Sequence, residues 1–276
     1  RSEANEKLLF NLVTSSDGLE SFDRQAFVEL LKSAFGERLQ GVIHTINDDK
    51  GDRVEARSGD SELVYGQAFI TETLHELNFD IEMSSFFQTN PACAERLYAE
   101  VIAAVSASDD ASTGSKPFHT GEYIMDLFCG TGTIAQMLAR HTGKEIIGVD
   151  IVEQAIIDAR KSAKNNGTEN VQFHAADVGK FLLEFPEYKG RIKSIVLDPP
   201  RAGISPKTLR KVIRLGAERL VYVSCNPATQ ARDIVTLREF GYELKRLKLV
   251  DQFPHTAHVE AIAVFEKNLK ASNLDE

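Results

Sequence analysis

The chain has 276 residues, 42% of them hydrophobic and 26% charged, enough for one large α/β unit or two domains with a real core. Its 32 Lys+Arg against 41 Asp+Glu give a formal charge of −9, which argues against a general polyanion binder but leaves room for a local basic patch. No low-complexity tract is present, no run reaches the roughly 18 apolar residues of a membrane helix, and the start RSEANEKLL has no signal-peptide core. Three scattered cysteines, Cys93, Cys129 and Cys225, make no disulfide framework, so an intracellular, reducing compartment is expected, with cytoplasm, nucleus and organelle left open. The first residue is Arg1 rather than Met, and the chain is expected to be part of something longer.

In chain order, LLFNLVT from Leu8 predicts a strand, FDRQAFVELLKSAF from Phe22 an amphipathic helix with Phe27, Leu30, Leu31 and Phe35 on its apolar side, and LQGVIHTIN a second strand. NDDKGD at Asn47 predicts a turn, and ELVYGQAFI and LNFDIEM two more strands. Residues 1–85 are therefore expected to form a small α+β domain, one sheet with one helix. From residue 86 the pattern becomes a long alternation. A helix PACAERLYAEVIAAV and a linker ASDDASTGSKPFHTGE precede the strands YIMDLF, EIIGVD, VQFHA, IKSIVLD and RLVYVS, each followed by a helix. Such alternation implies crossover units and a parallel, doubly wound, Rossmann-like sheet over 86–276. The final pair, ELKRLKLVD and VEAIAVFEK, has no helix between its members and predicts an antiparallel hairpin closing one edge.

DLFCGTGTIAQML from Asp126 places Gly130 and Gly132 in the first strand-to-helix turn, where glycine lets backbone approach a ligand. Asp150, at the end of the next strand, stands where an acid holds ribose hydroxyls in doubly wound folds. The spacing G-x-G-x-x-A from Gly130 to Ala135 would also suit a dinucleotide. However, Asp126 to Gly132 as D-x-F-C-G-x-G resembles the first motif of S-adenosylmethionine-dependent methyltransferases. That resemblance implies an adenine contact for Asp177, whose alternative is to cap the helix VGKFLLEF.

Three further segments sit at strand ends, where open α/β sheets build their sites: DPPRAG from Asp198, SCNPATQARD around Cys225, and FPHTAHVE ending at Glu260. With SFFQTN at Ser85, they resemble the motif set of the RNA uracil-5-methyltransferase family, over about residues 40–267. The resemblance implies S-adenosyl-L-methionine as cofactor and a uridine of transfer or ribosomal RNA as substrate. Carbon 5 of uracil is too weak a nucleophile to take a methyl unaided, and a thiolate added at carbon 6 activates it. Cys225 is then the nucleophile, with a thiol expected to be shifted towards thiolate, and Glu260 the base that removes the carbon 5 proton. The bland alternatives are a buried structural thiol and a paired structural carboxylate. Gln88, Phe128, Thr133, Asp150 and Asp198 correspond to cofactor-binding positions, although the family often carries Asn where Thr133 stands. Arg201 suits a phosphate or base of the target nucleotide.

His255, His258 and Glu260 spell H-x-x-H-x-E, but no further ligands cluster near them and no metal is expected. Family members often carry an amino-terminal oligonucleotide-binding barrel, and some an iron–sulfur cluster on four cysteines; neither is expected in this chain. Between Lys189 and Arg219 nine Lys+Arg face Asp198 and Glu218, a local +7 that leaves −16 elsewhere. Within it the helix PKTLRKVIRLGA puts Arg210, Lys211 and Arg214 forward as RNA contacts, with a solvated helix face as the alternative. Two other functions remain open. One is a cytosine-5 methyltransferase, which a Pro-Cys motif would favour and Ser224-Cys225-Asn226 does not; the other is a non-catalytic RNA-binding module, against which the presence of both Cys225 and Glu260 argues.

Overall fold

The computed structural model describes residues 1–48, 61–83, 85–107 and 123–268, and the chain divides into two units, 1–87 and 88–276. Most of the turn expected at NDDKGD and all but the first residue of the expected linker lie outside the described residues.

In the first unit, β1 (Leu8–Thr14) and β2 (Leu39–Ile46) pair in parallel, joined by helix α1 (Arg24–Phe35), and β3 (Ser61–Gly66) adds to β2 antiparallel. Asp23 caps α1 by accepting the Ala26 N–H at 2.9 Å, and Val28 and Leu31 close the core on Leu39 and Val42. The segment ELVYGQAFI, expected as one strand, is two. It breaks after Gly66, at φ +71°, and resumes as β4 (Phe69–Leu74), which pairs only with β5 (Leu77–Glu82). Gly66 leans on the Gln40 carbonyl so closely that a Cβ would not fit, which is why glycine stands at this bend.

The second unit opens with α2 (Pro91–Ser106), capped by Asn90, and then forms a seven-stranded sheet. Its members are β6 (Tyr123–Leu127), β7 (Ile146–Asp150), β8 (Val171–Ala175), β9 (Ile192–Leu197), β10 (Arg219–Ser224), β11 (Tyr242–Val250) and β12 (Glu260–Lys267), in the order β11-β12-β10-β9-β6-β7-β8. The crossovers are α3 (Thr133–Thr142), α4 (Glu153–Asn165), α5 (Val178–Glu184), α6 (Pro206–Arg214) and α7 (Pro227–Glu239). The central strands are apolar on both faces: Ile195 to Leu197 and Leu220 to Val223 are buried to the last side chain, as parallel strands covered by helices on both sides must be. Strand order reverses between β6 and β9, so the crevice at their carboxyl ends is the switch point at which such folds bind ligands.

The expected closing pair is antiparallel, with Val250 opposite Glu260, but the last strand is not the edge. β12 slots between β10 and β11. Its run Ala261 to Phe265 is fully buried, whereas β11 exposes Lys245, Leu247 and Lys248, the charged pattern of an edge strand. Because β12 runs against the others, its first residue, Glu260, lies at the edge where β9 and β10 end. Among the described residues no helix is long and apolar enough to cross a membrane.

Candidate active site

Five strand ends, those of β6, β7, β9, β10 and β12, deliver the site. Leu127 and Leu197 are in register, so Phe128 and Asp198 leave the sheet side by side, and Ser224 pairs with Ala261, so Cys225 emerges next to Glu260. The connection preceding β12 is tied to the start of α2: Gln252 Nε2 donates to the Asn90 carbonyl at 3.1 Å. The expected residues Gln88, Phe128, Gly130, Thr133, Asp150, Asp198, Arg201, Cys225 and Glu260 thus share one edge of the sheet.

Glu260 is 4% exposed, and burial pushes its carboxyl up while Arg201 pulls it back. Cys225 is half-buried. Burial, then Glu260 and Asp198, push its thiol up, while a hydrogen bond from Arg201 and the charge of Arg201 oppose them. The thiol therefore lies above its ordinary value, against the expectation of a depressed one: two carboxylates and desolvation outweigh a single guanidinium. Arg201 is no free surface cation. Its Nη2 is 3.0 Å from Nδ1 and 3.3 Å from Nε2 of His258, and its own carbonyl accepts from Asn226 and Thr229. His258 is thereby engaged with Arg201.

Beside this pair lies a cluster of carboxyls. Asp126 on β6 is fully buried, and neither oxygen reaches hydrogen-bond geometry with a partner among the described residues. Burial pushes its carboxyl up to about 7, Asp150 adding to the shift and the Ala135 amide opposing it. Burial, Glu260 and Asp126 likewise push Asp198 well up. Tyr98, on α2, is buried among Asp198, Asp126 and Glu260, all of which raise its hydroxyl further beyond the effect of burial, and Gln88 hydrogen-bonds to it. Sequence inspection missed Tyr98, because it falls on the apolar stripe of Ala94, Leu97 and Val101 and nothing local distinguishes it from core. Asp126, Asp198 and Glu260 thus bring three buried, raised carboxyls to one guanidinium, a setting in which a nearby cation would favour their ionised forms.

The turn after β6 is shaped for close approach. Phe128 holds φ +67°, an uncommon conformation for an aromatic residue, fixed by its N–H on the Val149 carbonyl at 2.8 Å. Gly130 has φ +52° with nothing within 4 Å of where a Cβ would stand. Asp150 accepts the N–H of Gly130 at 2.9 Å and of Val152 at 2.9 Å, one on each oxygen, and retains lone pairs for a ligand. Thr133 is buried at the first turn of α3. Asp177 caps α5 by accepting the Lys180 N–H at 2.9 Å on one oxygen, and its side chain is exposed.

The expected RNA contacts on α6 do not stay together. Lys211 Nζ donates to the Gly179 carbonyl at 2.6 Å and is committed to packing α6 on α5. α6 also runs back along the sheet: the Leu215 carbonyl accepts from Gly190 N, just ahead of β9, so Arg214 lies at the edge opposite Cys225. The +7 segment is divided in the same way, with Lys189 and Arg191 at the far edge and Arg219 buried on Glu266 and the Ala104 carbonyl. Only Arg210 of the three proposed contacts, together with Lys207, remains exposed on the half of α6 nearer the site.

Residues 47–268 match the tRNA (uracil-5-)-methyltransferase family. An uncharacterized RNA methyltransferase of Clostridium acetobutylicum is 40% identical over 95% of this chain and 54% of its own length, and one of Caldanaerobacter subterraneus is 39% identical over 97% and 56%. The chain thus spans about half the length of the curated relatives it matches. Among solved structures, the Pyrococcus abyssi tRNA (uracil-54, C5)-methyltransferase in complex with S-adenosyl-L-homocysteine superposes with TM-score 0.75 at 29% identity, covering 96% of this chain and 58% of that one. A S-adenosylmethionine-dependent methyltransferase from Agrobacterium tumefaciens, at 16% identity and TM-score 0.57, shares the fold, with 83% of this chain and 77% of that one covered. The chain belongs to the tRNA (uracil-5-)-methyltransferase family.

Proposed function

We propose that this chain carries the catalytic part of an S-adenosyl-L-methionine-dependent methyltransferase that makes 5-methyluridine in a transfer or ribosomal RNA through a covalent Cys225 adduct. The observation that carries the reading is the meeting of Cys225, Arg201 and Glu260 at three adjacent strand ends beside the carboxyls of Asp126 and Asp198.

The residues present fit the cofactor. The unpartnered Asp126 carboxyl and the raised Asp198 suit a ligand bearing a sulfonium and an ammonium, the open space at Gly130 admits a ligand against backbone, and Asp150 suits ribose hydroxyls. Gln88, Phe128 and Thr133 complete the wall. When bound, S-adenosylmethionine supplies an electrophilic methyl group. The chain's own residues supply the rest. The Cys225 thiolate adds to carbon 6 of a uracil turned out of its stack, and the electrons of the 5,6 double bond move to carbon 5 and the carbonyl. Once carbon 5 carries the methyl, the Glu260 carboxylate takes the carbon 5 proton, the double bond re-forms and the carbon–sulfur bond breaks, returning the thiolate. Arg201 steadies the sulfur anion at both ends of the cycle. A cation lodged among the three carboxyls would offset their charge and bring the raised Cys225 thiol down. Three free thiols fit a reducing compartment.

The test uses RNA containing 5-fluorouridine, whose fluorine cannot be removed by the base. With cofactor present, a covalent protein–RNA complex forms in the native chain and is lost in Cys225→Ala. A complex that persists in Cys225→Ala would sink the assignment.

A further inference from the structure

The proposed chemistry leaves the second half of SCNPATQARD, on α7, without a task. Asp233 is 3% exposed, and each of its oxygens takes two donors. Oδ2 accepts the Ile204 N–H at 2.9 Å and the Tyr222 hydroxyl at 2.8 Å, and Oδ1 accepts Arg232 Nε at 2.9 Å and Nη2 at 2.8 Å. Arg232 Nη2 also reaches the Ala202 carbonyl at 3.1 Å, while Asn226 Nδ2 and Thr229 Oγ1 hold the Arg201 carbonyl at 3.1 and 3.2 Å. The backbone of Arg201, Ala202 and Ile204 is thus gripped from α7. Gly203, between them, has φ +75°, and a Cβ on it would lie 2.7 Å from Arg232 Nη2 and 2.8 Å from Asp233 Oδ2. Of this turn, the side chain that enters the site is that of Arg201.

We propose that Asp233, with Arg232 as its partner, is a positioning residue that sets the backbone of the 201–204 turn so that the Arg201 guanidinium meets the Cys225 sulfur. The chemistry asks for a carboxylate here. An amide of the same size would turn an N–H either towards the Arg232 fork or towards the Ile204 and Tyr222 donors, and one side of the grip would open. The inference rests on the proposed function only in taking Cys225 as the reacting thiol, and that thiol can be followed without RNA.

The groups that face Cys225 are Glu260, Asp198 and Arg201; those that face Asp233 are Arg232 and Tyr222. The readout is the pH dependence of Cys225 alkylation by iodoacetamide on the whole chain, resolved from Cys93 and Cys129 by peptide mass spectrometry, with circular dichroism confirming the fold. Asp233→Asn moves the midpoint upward by about 0.5–1 pH unit, the size expected when a guanidinium withdraws from a thiolate. Arg232→Gln, at a half-exposed position that tolerates change, moves it the same way by less, and stands in if Asp233→Asn does not fold. Tyr222→Phe removes one donor from the same carboxylate while leaving the turn held, and leaves the midpoint where it is. An unmoved midpoint in the folded Asp233 or Arg232 variant overturns the proposal, as does an equal shift in Tyr222→Phe, which would mean general loosening. Absence of the fluorouridine adduct in the native chain would remove the functional reading and leave this measurement standing.

Discussion

Arg201 Nη2 lies 3.0 Å from Nδ1 of His258. The same guanidinium opposes the upward push on the Cys225 thiol, so one cation links the turn after β10 to the segment leading into β12. Two substitutions around it have opposite effects on the thiol. Arg201→Gln removes the group that lowers the Cys225 pKa, so the alkylation midpoint rises and adduct formation at neutral pH slows by about 10–100-fold, the worth of a hydrogen bond to a charged group. Glu260→Gln removes a charge that raises it, so the midpoint falls. Yet Glu260→Gln also removes the base, and methylated RNA accumulates still attached to Cys225. Free product at the native rate from Glu260→Gln would refute the base assignment.

Burying the Asp126 carboxyl costs stability at high pH. Its carboxyl is pushed up to about 7 by burial, above the roughly 3.9 of an unfolded aspartate. A raised carboxyl contributes stability that is present below the unfolded value and lost as pH rises through the folded one, here between about 4 and 7. Asp126→Asn is therefore expected to stabilise the ligand-free chain at pH 8 by about 1–3 kcal/mol, with a smaller gain at pH 5, while weakening cofactor binding. Thermal unfolding at the two pH values, with calorimetric titration of the cofactor, checks both halves. An equal gain at pH 5 and pH 8 would mean that the carboxyl is not the source.

Much of the second unit was legible because its code is local. A strand buried on both faces must be continuously apolar, and strand ends carrying Asp198, Cys225 and Glu260 converge once the sheet is parallel. What was not legible depends on distant partners. Lys211 and Arg219 look like free cations in sequence and are spent on the Gly179 and Ala104 carbonyls, each far away in the chain. The Cys225 thiol was expected low from its role, but burial in the folded chain, with Glu260 and Asp198 adding to it, pushes it up. The insertion of β12 inside the sheet was readable in principle, since its unbroken apolar run contrasts with the lysines of β11. At Gly66 a single glycine inside an apolar run hid a change of sheet.

The division of the basic segment gives a direct test. Over its nine residues α6 carries the chain about 13 Å back from the site. Arg210→Glu is expected to weaken RNA binding and to flatten its salt dependence by about two contacts' worth, since one cation is lost and one anion gained. Arg214→Glu, at the opposite edge, should change little. Filter binding across a salt series separates the two, and equal losses would place RNA along the whole helix.

Two glycines of one turn should behave differently when each receives a methyl group. At Gly132, φ is +74° and a Cβ would drive into the Phe173 ring, with the Ala159 Cβ 3.0 Å away. Gly132→Ala combines overpacking with left-handed strain and should cost about 2–5 kcal/mol. At Gly130, φ is +52° but the space is open, so Gly130→Ala costs only the backbone term of about 1–2 kcal/mol. That open space is where the cofactor is proposed to approach backbone, so the added methyl should weaken cofactor binding at least about tenfold, as a loss of some 1.4 kcal/mol does. Unfolding curves and cofactor titrations on both variants decide the matter. If Gly130→Ala binds cofactor like the native chain, the cofactor lies elsewhere than against this turn.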